Sequence, residues 1–307
     1  MAAVPRSRRR ARRRDLGAAA LLVGPFLALL GVFTVYPMVR SALYSFSDFS
    51  ALRPSAAQWV GLEQFRKVLS DPTFRRAIAN TILLMVITVP TQTFLAVLVG
   101  NALNARIRLR SFFRAVYFLP YVTAPVAVGA IMLSLFGPNG IVTSLVHTLA
   151  GTPQTAWYAI TPQAFALVAI VMVWTQTGFF AVIVLAGLQS IPGDIYEAAD
   201  LDGAGWWTKL TRITLPLLRP TVLLVLVMGV IVGLQAFDQP YVLSTTGGAL
   251  PGSPDGSTLT MVMYVYTQSF RYFHMGEASA AAYVVMAIIL VFALLQGALQ
   301  RRAGETR

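Results

Sequence analysis

Cysteine is absent from these 307 residues, which excludes disulfides and thiolate metal sites. Histidine occurs only as His147 and His274, too few for a His-rich metal centre, so no metal site is expected. Charge is also scarce. Asp, Glu, Lys and Arg together make 12% of the chain, against about 25% in soluble domains. No P-loop, no G-x-S-x-G elbow and no solenoid-type repeat can be found, so the chain has no nucleotide site of its own. What is abundant is apolar: 56% of residues are hydrophobic and the mean hydropathy is +0.67. This is the composition of an all-α integral membrane protein.

A membrane-crossing helix needs about 20 largely apolar residues. Six stretches qualify, over about 17–39, 77–101, 113–136, 163–188, 217–237 and 276–299. They leave a basic tail over 1–16, a central polar loop over 189–216 and a short tail over 301–307. A cleaved signal peptide is the alternative for the first stretch, because Arg12-Arg13-Arg14-Asp15-Leu16 loosely fits a twin-arginine signal. The apolar run is long for that role, and Val35-Tyr36-Pro37 offers no A-x-A cleavage site.

The net charge of +12 and pI near 10.6 do not indicate nucleic acid, because the charge sits beside the spans. Seven arginines between Arg6 and Arg14 precede the first span, and Arg106, Arg108, Arg110 and Arg114 flank the third. With six spans, 17 of the 24 Lys and Arg residues lie on the side of the termini and 7 on the other. Basic residues stay cytoplasmic, which predicts both termini inside; the arginine clusters read as orientation signals and contacts to anionic lipid.

Outside, Leu62, Phe65, Val68 and Leu69 recur at helical spacing up to the break at Asp71-Pro72. They predict a short amphipathic helix, lying on the surface or serving as a docking face. The Gly- and Pro-rich stretch 247–257 is expected to be irregular and mobile.

The central loop is the chain's one long polar island. Pro192-Gly193-Asp194 is a helix-start signal, with Asp194 available as N-cap and Glu197 three residues on, as in a capping box. A helix over about 195–201 would end at Gly203 or Gly205. Four acids, Asp194, Glu197, Asp200 and Asp202, would sit beside anionic headgroups, so a basic protein surface suits them better than the membrane. The plainer reading is a capped helix in which Glu197 serves only its own terminus. Trp206 and Trp207 suit the interface where the chain re-enters the membrane.

Glu197-Ala198-Ala199, Gly203, Ile213, Leu215 and Pro216 match the cytoplasmic-loop motif of ATP-binding-cassette importer permeases at every defining position. The chain is identified on these residues as resembling that family. The resemblance implies a six-helix permease fold and a bacterial inner-membrane location. It also implies that this loop is a coupling helix, with Glu197 as main polar contact, Asp200 beside it and Gly203 as the bend. The partners it implies are a second permease, two ATPase subunits and an extracytoplasmic solute-binding protein. ATP and Mg would be bound by the ATPase, and this chain would bind no cofactor and perform no covalent chemistry.

Phe237-Asp238-Gln239-Pro240-Tyr241 and the Tyr264-Val265-Tyr266 segment resemble the carbohydrate-uptake branch of these permeases. Polar groups inside spans are costly and face a bundle interior or cavity. Trp174, Gln176 and Phe179 in the fourth span, with Gln235, Phe237 and Asp238 at the outer end of the fifth, are therefore candidates for a sugar pathway. Helix packing is the competing role for each, and Gln92, Thr93, Tyr264 and Gln268 are weaker candidates. Gly276 and Ala280 suit close helix packing. An Arg or Lys mid-span would suit a glycerol-3-phosphate or glycerophosphodiester substrate, and none is present, which favours a neutral sugar or oligosaccharide. An ion-coupled transporter would want intramembrane carboxylates or histidines, which the spans lack away from their ends.

Overall fold

The computed structural model describes residues 21–105, 108–151, 153–245 and 249–304. The basic tail, the start of the first span and the last three residues lie outside the described residues. Among the described residues, five helices are long and apolar enough to cross a membrane: α1 (Leu21–Ser45), α3 (Pro72–Asn104), α7 (Thr161–Gln189), α9 (Trp206–Leu234) and α12 (Met275–Gly304). Between them lie the shorter α2 (Glu63–Ser70), α4 (Arg110–Val122), α5 (Pro125–Leu135), α6 (Ile141–Ala150), α8 (Gly193–Leu201), α10 (Asp238–Ser244) and α11 (Met261–Tyr266).

The expected straight span over 113–136 is replaced by two helices, α4 and α5, bent by 96° at Thr123-Ala124. Pro125 is the cause. Its ring disfavours helical backbone at the preceding residue, and Ala124 accordingly adopts φ −54°, ψ 130°. Hydropathy does not register such a break, because every residue around it is apolar.

The bent pair nevertheless belongs to a single crossing. Asn80, early in α3, donates to the carbonyls of Gly256 and Leu259, while Thr161 at the start of α7 donates to Asp255 of the same loop. Late in both helices, Gly100 lies against Val184 and Ala181. Thus α3 and α7 run parallel, and residues 105–160 must return the chain across the bundle. In α9, Gly233 faces Met85 and Leu218 faces Gly187, so α9 runs the opposite way. Tyr283 of α12 donates to the Met38 carbonyl at 2.7 Å, and Gly276 abuts Tyr44 and Ser47, so α12 is antiparallel to α1. The start of α1, the α8 loop and the end of α12 consequently share one side.

Two proline effects shape the long helices. Pro37 and Pro216 each follow a π turn, Gly31–Val35 and Leu210–Thr214. A proline has no N–H to complete the ladder and its ring crowds the carbonyl four residues back, so one wider turn relieves the conflict. As a result α9 begins at Trp206, well before the expected start at 217, and the polar loop shortens to residues 190–205.

The core is centred on α3. Its Phe74, Ala77, Met85 and Val89 pack with Leu234, Met261 and Ala281, and its Ala96 packs with Phe180, Val184 and Leu218. Hydrophobic drive between spans is weak in lipid, so close backbone approach matters more. Gly178 is the clearest case: a Cβ there would overlap the Tyr117 carbonyl, so α4 lies directly on α7. Gly276 plays the same part against Ser47, in line with the expected packing role.

On the side opposite α8, termed outer after the orientation expected from the charge bias, α2 is the amphipathic helix read from the sequence, with Val68 fully buried and Phe65 packed on the core while Leu62 and Leu69 remain exposed. The 247–257 stretch departs from expectation. Residues 246–248 lie outside the described residues, and the described remainder is irregular but firmly tied down. Ser257, Thr258, Leu259 and Thr260 are buried; Thr260 Oγ1 donates to Ala236 O at 2.7 Å, and Met261 N donates to Thr81 Oγ1 at 3.0 Å.

Candidate functional site

The helix α8 sits in the loop between α7 and α9, starting at Gly193 rather than at 195. Pro192 occupies the N-cap position, Asp194 lies inside the first turn, and no side chain caps the terminus. The expected capping box is therefore absent. Pro192, with φ −58°, already directs the chain into the helix, which moves the start ahead of Asp194. Glu197 is exposed and forms no ion pair with a described residue.

Helical spacing sorts the side chains of α8 into two faces. Tyr196 and Ala199 turn inward: Tyr196 Oη is 3.1 Å from Thr214 Oγ1, and Ala199 is buried. Asp194, Glu197, Ala198 and Leu201, at i, i+3, i+4 and i+7, form an outward stripe. Leu201 is 91% exposed. Asp200 does not join the stripe, because it pairs with Lys209 in the next helix. That bond ties the two arms of the loop together and leaves Asp194 and Glu197 as the open acids of the stripe, with Asp202 also exposed and outside any ion pair at the helix C-terminus.

Gly203 ends the helix with φ +71°, the left-handed conformation that glycine adopts without strain, and it produces the bend expected there. Its N–H bonds to Asp200 O and the N–H of Ala204 to Ala199 O, which closes the last turn. Beyond it Trp206 and Trp207 are exposed at the head of α9, Ile213 is half-buried, and Leu215 and Pro216 face outward at the π turn. The segment holding Ile213, Leu215 and Pro216 thus marks a widened helical turn rather than the beginning of a span.

The six pathway candidates fall in two places. On α7, Gln176 and Phe179 are within about 60° of one another around the helix, while Trp174 lies roughly 160° from Gln176 and is exposed. Phe179 stacks on Tyr121 of α4, with centroids 4.4 Å apart and planes at 13°. Gln235 terminates α9 and is exposed, as is Asp238 at the start of α10. Phe237 between them stacks on Tyr241 at 5.1 Å and leans on Tyr266 at 5.2 Å; Tyr266 in turn meets Phe270 at 5.2 Å.

These two aromatic groups pack in separate clusters and at different depths. Phe179 is 18 residues, about 27 Å of helix, beyond the outer start of α7, whereas Phe237 follows the outer end of α9. Sequence reading did not single out Tyr121, whose signal lay in the aromatic-rich run from Phe112 to Tyr121.

Tyr264, a weaker pathway candidate, is committed elsewhere. Its hydroxyl is 2.7 Å from both Asp71 Oδ2 and Glu277 Oε1, and Asp71 Oδ1 also caps α3 by accepting from Thr73 N. Burial first, then the hydrogen bonds to Asp71 and Glu277, raise the Tyr264 phenol above its ordinary pKa and keep it neutral. Gln92 and Thr93 are buried in the α3 interior, and Thr93 donates to Val89 O. Among the described residues no cluster of His, Asp and Glu suits a metal ion.

Comparison with known proteins agrees with this architecture. Residues 71–305 match the family described as binding-protein-dependent transport system inner membrane component. The chain is 34% identical over 278 residues to the sulfoquinovosyl glycerol transport system permease protein SmoG of Agrobacterium fabrum, covering 89% of this chain and 88% of that one. It is 33% identical to the lactose transport system permease protein LacF of Rhizobium radiobacter, covering 90% and 91%. A bacterial ABC transporter involved in import of the acidic polysaccharide alginate contains a chain of the same fold, with a TM-score of 0.78 at 22% identity over 95% of this chain and 98% of that one. The chain belongs to the family of binding-protein-dependent transport system inner membrane components, as a membrane transport subunit rather than an enzyme.

Proposed function

We propose that this chain forms half of the translocation pathway of an ATP-driven importer for a sugar or oligosaccharide. The observation that carries the coupling role is the outward stripe of α8, in which two open acids and a leucine face away from the chain's own fold. A leucine left 91% exposed on a polar loop is what a protein contact would cover. Two ATPase subunits, which would bind ATP and Mg, would each receive such a helix, one from this chain and one from a second, similar permease. The acids suit a basic cleft in the ATPase, with Glu197 as main contact, Ala198 permitting close approach and Gly203 holding the bend.

The arginine bias around α1 and α4 supports placing the α8 side in the cytoplasm of a bacterial cell, and the antiparallel helix directions support both termini lying on that side. An extracytoplasmic binding protein would deliver substrate at the opposite face. Relatives named for lactose and sulfoquinovosyl glycerol, and an alginate transporter solved with an alginate pentasaccharide-bound periplasmic protein, support a carbohydrate substrate.

Within this chain, Gln176 and Phe179 on α7, with Tyr121 behind Phe179, combine an amide with apolar ring faces. That chemistry suits a sugar, which presents both hydroxyls and C–H surfaces. Trp174, Gln235, Phe237 and Asp238 are assigned to the same route at other levels and would meet substrate or the second permease. ATP would stabilise the outward-open state and hydrolysis would return the assembly inward.

Reconstitution of both permeases with the ATPase in vesicles, supplied with the loaded binding protein, tests this directly. Sugar uptake should require ATP, and uptake that continues on an ion gradient without ATP would identify an ion-coupled transporter instead.

A further inference from the structure

A cavity of about 330 Å³ opens between the second half of α3 and α4, lined by Leu98, Val99, Ala102, Leu103, Phe113 and Tyr117. Its walls are apolar, and Leu98, Phe113 and Tyr117 remain substantially exposed. On α4, Arg110, Phe113, Arg114 and Tyr117 stand at i, i+3, i+4 and i+7, so the two arginines cap the groove at the α8 side of the bundle.

Those two arginines converge without a counter-charge. With its amide turned to meet them, the Gln189 side-chain oxygen lies 3.1 Å from Arg110 Nη2 and 3.0 Å from Arg114 Nη2. Arg110 Nε also donates to Leu103 O, and Arg110 Nη2 to Asn104 Oδ1. The ion pairs among the described residues involve Lys67, Lys209 and His274, and none involves either arginine. Arg114 Nε is buried with no hydrogen-bond partner. Two guanidiniums sharing one neutral acceptor repel each other, and an anion beside them would relieve that repulsion. The first turn of α4 adds to the positive field, since it holds no acid and its N-terminus has no side-chain cap.

We propose that this groove is a binding site for an anionic diacyl phospholipid, with one acyl chain along the apolar walls and the phosphodiester at Arg110 and Arg114. A free phosphate would satisfy the arginines and leave the groove empty. A neutral lipid would fill the groove and leave the arginines unpaired. An anionic lipid does both. Its chain would bear on α4, the helix whose Tyr117 carbonyl lies on Gly178 and whose Tyr121 stacks on Phe179, so occupancy would steady the arm that carries that aromatic pair.

The chain contains no cysteine, so a single label can be introduced cleanly. Phe94, one turn outward from Leu98 on the same face of α3 and well exposed, places a bimane beside the groove without filling it. The complete transporter carrying Phe94→Cys-bimane, in nanodiscs of phosphatidylcholine, would be titrated with acyl-brominated phosphatidylglycerol or phosphatidylcholine. Half-quenching should require roughly twenty-five-fold less phosphatidylglycerol, at about fivefold for each arginine. A label at Leu290→Cys, on an exposed face of α12 away from the two arginines, should be quenched equally by both lipids.

Arg110→Gln with Arg114→Gln should abolish the preference, and the corresponding Arg→Lys pair should keep most of it. Ala102→Trp, which fills the groove and leaves the arginines and their Gln189 contact in place, should also abolish it while the ATPase stays bound. Equal quenching by the two lipids at position 94, or a preference that survives both Arg→Gln changes and Ala102→Trp, overturns the proposal. So does a cysteine at position 98 that cross-links to the second permease, since that would place protein in the groove.

Discussion

The two ends of the bundle are built differently. At the outer end several hydrogen bonds join the loops to the helices: Asn80 to Gly256 and Leu259, Thr81 to Met261, Thr260 to Ala236, and Tyr264 to Asp71 and Glu277. At the α8 end, one ion pair and one hydroxyl contact fix the loop, while Asp194, Glu197 and Leu201 point away from the fold. A polar chain that completes its own bonding needs no partner for stability. The outer loops are thus held largely by the chain itself, whereas α8 keeps an uncovered stripe that the proposed ATPase seat would cover.

The comparison can be broken first at the outer end, where effects should be largest. Gly276→Val places side-chain atoms into the Ser47 carbonyl, a backbone group that cannot step aside. We expect a loss of about 3 kcal/mol or more, seen as failure of the transporter to survive detergent extraction. Thr81→Val removes the acceptor for the buried Met261 N–H at nearly unchanged volume. It should cost about 1–3 kcal/mol, read as a lower melting temperature with the ATPase still attached.

At the α8 end the readout should shift from stability to coupling. Gly203→Ala forces a side chain into φ +71°, for about 1–2 kcal/mol of local strain at a position with no close neighbour to clash with. The melting temperature should barely move, while uptake falls several-fold because the bend after α8 is disturbed. Lys209→Met, which frees Asp200 from its ion pair, should be the mildest change. An exposed pair of this kind contributes about 1 kcal/mol or less, and a small fall in uptake with no change in melting would fit.

Much of this difference was legible in the residues themselves. The apolar stretches overlap all five long helices, although α9 begins eleven residues before the expected start at 217, and Gly203, which ends α8, was one of the two glycines that the spacing offered. The break at Ala124-Pro125 was missed because hydropathy averages over it, although the proline rule was available. The described part of the 247–257 stretch was expected to be mobile because Gly, Pro and Ser describe a loop's local freedom, whereas Gly252 and Ser257 are buried and Gly256 O is held by Asn80, 176 residues away in sequence. The Asp194 cap failed for a local reason, since Pro192-Gly193 starts the helix earlier. For the sugar route, sequence supplied the residue types of Gln176 and Phe179 but not the stacking of Tyr121 on Phe179, which depends on how α4 packs against α7.

The central claim is that the outward stripe of α8 is a seat for the ATPase. The most direct measurement is the affinity of the purified permease pair for its ATPase when Glu197→Ala and Leu201→Ala are combined. Both side chains are exposed and support nothing within the chain, so the melting temperature should hold within about a degree while ATPase affinity falls roughly tenfold or more, as for contacts central to an interface. An ATPase that binds this variant as tightly as the parent, with sugar uptake intact, would contradict the account.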